Sequence, residues 1–457
     1  MTNTIILKDN SDNTLSKKDF NAFLSLADRT LSEIKAQNGA GIFVFSGNSK
    51  DEIEKLTLFH KVKEENDNIT LKTTNLMGFI GLKEDKKDIN IKITSRFCQG
   101  ENKDYFLYYM LSKVCHFNFV DFPVNKANTN WINLLPLLFP HSLKKALRQG
   151  LYKQYITKKY NDINLKGRIN IAEHLKKNIP FMGKFRYDTR EYSFDNPLTQ
   201  LIRHTIEHIK NLSVFNNVLN SAPDEVKTII LATPSYNKAE RSKVINQNLR
   251  PLKMPYFTEY LPLRKLCLKI LLGGKIAYGA DSSKIYGVLF DGAWLWEEYL
   301  NKVFKEDKDD TFKNLIHAEN KTGKKPLYLF KSNKSECYPD FYQEKDTPPF
   351  IADAKYKWYK DYNKEDLYQL ITYMYITKAE KGLFLVPGDE NQTQQQDEQT
   401  IEQQQTLNGY GGEIAVARLY ITQNNDGFDN FEKQIKTNEE KFITAVAKFW
   451  KQATNFK

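Results

Sequence analysis

The sequence predicts an α+β multidomain protein, in which a basic N-terminal part of mixed strands and helices precedes an α/β unit with a central mixed sheet. Three observations point there. The chain has 457 residues, about three times a typical domain of roughly 150, so two or three cores are expected. From about residue 285 onward, β-like runs alternate with helical ones. Charge is divided as well: residues 1–280 hold 43 basic and 27 acidic side chains, a balance of +16, and the remainder holds 24 and 29, a balance of −5. The expected partition is 1–280, divisible into 1–100 and 101–280, followed by 281–457.

Composition narrows the class. Apolar residues make up 40% and charged residues 27% of the chain, ordinary globular usage that excludes a largely disordered protein. No apolar run approaches the roughly 20 residues that span a bilayer, and the start, MTNTIILKDNSDN, lacks the order of a signal peptide. A soluble cytoplasmic protein without membrane contact is expected. Cys98, Cys115, Cys267 and Cys337 form no C-x-x-C pair, which argues for reduced thiols and against a zinc knuckle. The excess of Lys and Arg before residue 280 suits a polyanion or an acidic partner, although a solvated Lys-rich surface has the same composition.

Along the chain, Phe20, Phe23, Leu24, Leu26, Ala27 and Leu31 recur at helical spacing after Ser16, predicting a helix over 16–36. IFVF (43–46), GFIGL (78–82) and DINIKITSRF (88–97), with Ile89, Ile91 and Ile93 alternating, predict strands. Residues 102–160 have helical spacing, KFRYDTREYSF is strand-like, and Asn196-Pro197 makes a sound helix start. The second unit opens near Ile285 with an apolar stretch and a helix that buries Trp294, Leu295, Tyr299, Leu300 and Phe304. Strands are expected at 326–330, 336–343, 350–359 and 381–387, with a helix between the last two and a closing strand at 414–421. The Gln-rich segment 389–405 is too polar for a core and is expected as an exposed loop.

One constellation carries chemistry. Pro339-Asp340 is followed after twelve residues by Asp353-Ala354-Lys355, then by Gln369 and Tyr373. In a strand, Asp353 and Lys355 share one face. A hairpin through Pro348-Pro349 would bring Asp340 to the same point. Two carboxylates and a backbone carbonyl, that of Ala354, are hard oxygen ligands suited to Mg²⁺, with Mn²⁺ as a substitute. A water on the ion becomes the nucleophile. Lys355 could orient or deprotonate it, helped by a pKa lowered through burial. Gln369 and Tyr373, four apart on a helix, could orient Lys355 or touch a DNA backbone. These roles serve phosphodiester hydrolysis.

The arrangement resembles the PD-(D/E)xK nuclease superfamily, and Gln369-Leu370-Ile371-Thr372-Tyr373 looks like the Q-x-x-x-Y element of its RecB-like branch. Trp296-Glu297-Glu298-Tyr299 looks like the F-E-x-Y pattern found ahead of the catalytic strands. That likeness makes Glu297 a candidate third acid, with a solvated helix face as the plain alternative. Leu165-Lys166-Gly167-Arg168-Ile169, Asn196-Pro197-Leu198, Leu289-Phe290-Asp291 before Trp296-Glu297, and DAKYK followed by DLYQLITYMY extend the resemblance over about 78–421. Together they resemble the McrC family, the nuclease subunits of McrBC modification-dependent restriction systems. The resemblance implies a restriction-endonuclease-like C-terminal domain and an N-terminal finger-like module that docks on a hexameric McrB-like AAA+ GTPase. It also implies that double-stranded, modified DNA is cut when the motor's translocation or a roadblock triggers it. The absence of a G-x-x-x-x-G-K-[ST] loop from this sequence fits that division of labour.

Rival readings are weaker. His204-Thr205-Ile206-Glu207-His208 fits a zinc-binding H-x-x-E-H pattern, but an amphipathic helix with an Arg203–Glu207 pair explains it better. Gly273-Gly274-Lys275 lacks the rest of a phosphate loop and reads as a helix-ending turn. Tyr105, Phe106, Tyr108 and Tyr109 could stack on bases, yet their helical spacing favours core. A non-catalytic basic adaptor of an AAA+ motor and a stand-alone DNA nuclease are the alternative functions.

Overall fold

A computed structural model describes residues 3–16, 26–38, 41–47, 50–65, 68–84, 87–98, 104–115, 135–215, 217–250, 255–272, 285–317, 326–343, 349–360, 362–389, 400–409, 411–422 and 427–452. The chain divides into two compact units. One comprises Met1–Cys115, Phe119–Trp131 and Tyr278–Lys457, and the other His116–Asn118 and Ile132–Ala277. The second unit ends close to the boundary expected at 280, but the first hundred residues group with the C-terminal part instead of with 101–280.

The reason is one strand. Ile285–Asp291, the apolar stretch expected to open the C-terminal unit, is a strand of a five-stranded sheet otherwise built from N-terminal residues. There it pairs antiparallel with Leu76–Glu84 and parallel with Gly41–Phe45. Lys87–Thr94 and Asn3–Lys8 complete the order on the far side of Leu76–Glu84. The alternation read at Ile89, Ile91 and Ile93 is a buried face: Ile91 and Ile93 join Ile5, Leu7, Ile80 and Leu289 in one core. Of the helix expected over 16–36, residues 17–25 lie outside the described residues; Ser16 ends the strand Asp12–Ser16, 26–30 are not helical, and Leu31–Asn38 is a helix. Thr30 and Glu33 cap each other's backbone N–H groups there, a reciprocal box that starts the helix late. Phe20, Phe23 and Leu24 lie outside the described residues.

The same unit contains a six-stranded mixed sheet in the order Ile316–His317, Phe341–Gln343, Phe350–Ala354, Lys381–Asp389, Glu413–Ile421, Ile401–Thr406. Phe350–Ala354, Lys381–Asp389 and Glu413–Ile421 run parallel. Such strands are buried on both faces, and every residue of Lys381–Asp389 is. The Lys364–Thr377 helix covers one face, and a Cβ at Gly382 would meet Met374 Sδ at 2.6 Å, so glycine lets this helix sit down on the strand. On the other face lie two helices: Phe304 of one packs with Phe341, Phe350 and, from the other helix, Phe442, and Phe312 packs with Phe350. The second of these helices, Phe428–Lys451, buries Phe431, Ile435, Phe442, Val446 and Trp450 at helical spacing.

Two expectations about this sheet are corrected. Within 389–405, Ile401–Thr406 is a strand that pairs with Glu413–Ile421, so the latter is interior and the polar strand forms the edge. An edge strand tolerates that polarity because half of its hydrogen bonds and one flank face solvent. Among the described residues, Leu327–Tyr328 pairs with Glu336–Cys337 alone, in a separate ribbon outside the sheet.

The other unit holds a long hairpin, Gln154–Asp162 with Phe185–Ser193, and the short edge strand Arg168–Ile169. Residues 154–160 belong to the 102–160 stretch expected to be helical. Their exposure alternates residue by residue and Tyr155, Ile156, Thr157 and Tyr160 favour strands, so cross-strand pairing wins. The Pro197–Lys210 helix begins as the sequence implied: Asn196 Oδ1 accepts from the Leu198 and Thr199 amides, and Thr199 Oγ1 accepts from the Asn196 amide. No helix among the described residues is long and apolar enough to cross a membrane.

Candidate active site

The Phe350–Ala354 strand is buried throughout. Its alternation sends Ile351 and Asp353 to the face covered by the Lys364–Thr377 helix, where Ile351 packs with Leu370, Tyr373 and Phe384. Strand pairing continues one residue further, with the Lys355 amide donating to the Leu385 carbonyl at 2.9 Å. Lys355 thereby returns to the Asp353 side. Phe341 pairs with Ala352 in the adjoining antiparallel strand, which sets the preceding residue, Asp340, beside Asp353. Asp340 Oδ2 accepts from the Ala354 amide at 2.7 Å.

The strand's exit is anchored firmly. The Tyr356 hydroxyl is 3.0 Å from Ser95 Oγ, and Arg96 lies over the Tyr356 ring while its guanidinium pairs with Asp9 at 2.6 Å. A Cβ at Gly292 would stand 2.5 Å from that ring, so the first helical position after the Asp291 cap must be glycine.

Lys355 Nζ is 2.5 Å from Asp353 Oδ2 and donates to Gln369 Oε1 at 3.0 Å. Gln369 Nε2 donates to the Tyr373 hydroxyl at 2.8 Å, and that hydroxyl donates to the Tyr338 carbonyl at 3.2 Å. Asp340, Asp353, Lys355, Gln369 and Tyr373 therefore share one continuous set of contacts. Asn363 starts the helix by accepting from the Glu365 amide at 3.1 Å, which places Asp366 one turn before Gln369. Asp366 meets Lys357 at 2.5 Å and Lys355 at 3.7 Å.

Sequence reasoning missed His317. Its Nδ1 is 2.9 Å from the Asp340 carbonyl and its Nε2 is 3.2 Å from Glu298 Oε1, with the ring stacked on Phe341. A lone histidine in a two-residue strand offers no local signal. Glu298, next to the candidate Glu297, is thus committed to His317 and not to solvent.

Burial dominates the electrostatics. Asp340 and Asp353 are 7% and 1% exposed. Burial, followed by repulsion from Glu297 and Asp353, drives Asp340 well above the usual carboxylate range. Asp353 is raised by burial against the pull of Lys355. Glu297, 9% exposed, is pushed up to about 8 by burial and by repulsion from Asp291, Asp353 and Glu298, despite attraction from His317. Lys355 is held by its carboxylate neighbours. Burial presses its pKa down, but Asp353, Asp340 and Asp366 outweigh that and hold the ammonium above its ordinary range.

This donor set fits a hard divalent cation. Asp353 Oδ2 is buried with no aligned hydrogen-bond donor, the lysine beside it making an ion contact only. The described residues contain no cluster of three or more His, Cys, Asp or Glu side chains arranged as metal ligands. Asp340 and Asp353 supply two carboxylates, however, and Mg²⁺ needs only one or two because it keeps several waters. The Ala354 amide is engaged by Asp340.

The rival motifs go elsewhere. His204 is buried with its ring 4.7 Å from Tyr236, and Glu207 pairs with Arg203 at 3.1 Å and Lys210 at 3.3 Å. Tyr105, Phe106, Tyr108 and Tyr109 are core. Gly273-Gly274-Lys275 lies outside the described residues.

The profile of the family described as "McrBC 5-methylcytosine restriction system component" matches residues 71–386. No curated protein matches the chain. Among solved structures, the chain is similar at 14% identity and a TM-score of 0.47 to one described as a refined half-complex from the tetradecameric assembly of Thermococcus gammatolerans McrB AAA+ hexamers with bound McrC, over 98% of this chain and 100% of that one. A second, the cryo-EM structure of the Thermococcus gammatolerans McrBC complex, aligns over 66% of this chain and 87% of that one at 14% identity and a TM-score of 0.29.

Proposed function

The chain belongs to the McrBC 5-methylcytosine restriction system component family, and from that premise we propose that it is the McrC-type, Mg²⁺-dependent DNA-cutting subunit of such a system. The carrying observation is the convergence of Asp340, Asp353 and Lys355 from two adjoining strands. Asp340 and Asp353 would hold Mg²⁺, with the Ala354 carbonyl as a further oxygen and Glu297 as an auxiliary acid. When bound there, the ion supplies Lewis-acid stabilisation of a phosphate and a more acidic water. Lys355, fully charged, presents N–H donors to the negative charge that builds on the phosphate during attack. Gln369 fixes the direction of the ammonium, and Tyr373 fixes Gln369. A non-catalytic adaptor would not need these groups within hydrogen-bond distance.

The partner in this reading is an McrB-like AAA+ GTPase hexamer, and the substrate is modified double-stranded DNA in the cytoplasm. Two facts support a separate motor: membership of a multi-component restriction family, and a sequence without a P-loop. The test is cleavage of methylated plasmid by the full chain with Mg²⁺ and its co-encoded AAA+ protein. Asp353→Asn and Lys355→Ala should each end cutting while leaving complex formation and stimulation of nucleotide hydrolysis intact. Unchanged cutting, or loss of cutting and stimulation together, refutes the assignment.

A further inference from the structure

Next to Lys355, the Lys364–Thr377 helix and the segment leading to Asp340 enclose a cleft of about 430 Å³, within the roughly 300–1,000 Å³ of small-ligand sites. Gln369 belongs to both places. Its Oε1 takes the hydrogen bond from Lys355 Nζ, and the residue lines the cleft. The opposite wall, Glu336 to Tyr338, is fixed relative to the lysine because the Tyr373 hydroxyl bridges Gln369 Nε2 and the Tyr338 carbonyl. A group lodged in the cleft is therefore a neighbour of whatever Lys355 contacts.

The lining chemistry selects the group. None of the described residues around the cleft is basic, and Glu336 is acidic, so a phosphate is repelled. Three tyrosines line it: Tyr373, whose hydroxyl is the bridge to the Tyr338 carbonyl, Tyr338, whose hydroxyl donates to the Glu336 carboxylate, and Tyr368, which is left 67% exposed. Flat faces beside a hydrogen-bond acceptor favour a planar, uncharged ring that carries N–H donors. We infer that the cleft takes one unstacked nucleobase from the DNA strand, adjacent to the phosphate held at Asp340, Asp353 and Lys355. The base stacks on Tyr368 while Glu336 accepts from its exocyclic amine. The inference rests on the nuclease reading and deepens it: the cut strand is opened locally at the site.

Fluorescence anisotropy of the full chain, with Ca²⁺ replacing Mg²⁺, measures binding to labelled single-stranded DNA. A single abasic position is moved along the strand. At one position the abasic site should weaken binding about tenfold, the effect of losing one base–aromatic stack. Tyr368→Ala should lose the same factor and Tyr368→Phe should not, and the alanine variant should bind intact and abasic strands alike. Equal affinity of Tyr368→Ala and wild type, additive losses, or no measurable DNA binding even with the AAA+ partner present overturns the inference. Asp353→Asn separates the two proposals. If it still cuts, the nuclease reading fails; if it stops cutting while Tyr368→Ala binds normally, only the cleft assignment fails.

Discussion

Asp340 Oδ2 accepts the Ala354 amide at 2.7 Å, a bond that ties the Pro-Asp segment to the strand carrying Asp353 and Lys355. Its distinctive feature is that the acceptor need not be charged. Fold and chemistry at Asp340 can therefore be separated. Asp340→Asn keeps a carbonyl oxygen for the Ala354 amide and removes a buried carboxyl that is repelled by Glu297 and Asp353. The variant should melt at or above the wild-type temperature by calorimetry while Mg²⁺-dependent cutting falls at least about 100-fold.

Glu297 sets a pH dependence of stability. Its carboxyl is raised from 4.5 to about 8 in the fold, first by burial. The folded state thus binds this proton more tightly than the unfolded chain does. The associated stability is fully present below about pH 4.5 and is lost as pH rises through about 8. Glu297→Gln has no such proton to lose. Its melting temperature should match wild type near pH 5 and exceed it by about 2 °C or more at pH 8.5; a constant offset across that range refutes the assignment.

Gln369 positions Lys355, and Tyr373 positions Gln369. Gln369→Ala should lower kcat roughly 10- to 100-fold, the usual effect of losing an outer-shell partner, with unfolding free energy changed by less than about 1 kcal/mol. Gln369→Glu restores an acceptor for the ammonium and should recover part of the loss. Tyr373→Phe should cost about 1 kcal/mol in urea unfolding.

Glu439 organises the packing behind the sheet. It accepts from the Tyr299 hydroxyl at 2.6 Å and the Tyr109 hydroxyl at 3.3 Å and pairs with Lys113 at 2.6 Å. Glu439→Ala strips three buried partners at once and should destabilise the protein by about 3 kcal/mol in denaturant unfolding. Glu439→Gln, which keeps an acceptor, should cost less.

Much of the site was legible because its signals are local. The alternation in FIADAKYK puts Asp353 and Lys355 on one side whatever surrounds them, and four-residue spacing does the same for Gln369 and Tyr373. The Asn196-Pro197 helix start depends on groups within three residues. Where local signals were ambiguous, pairing decided. LYKQYITKKY has apolar and aromatic residues at helical intervals, yet its side chains alternate about a hairpin whose partner begins at Phe185, more than twenty residues further along.

The sequence by itself determined which candidate residues fall on one face and which local conformations present them, since side-chain period and capping are properties of neighbouring residues. Only the tertiary structure decided that Ile285–Asp291 joins the N-terminal sheet and that Ile401–Thr406 forms the edge of the other one. It also decided that His317 reaches Glu298 and the Asp340 carbonyl. Those relationships rest on backbone hydrogen bonds and long-range contacts, and a peptide N–H or carbonyl is nearly the same in every residue, so no short stretch of sequence names its partner.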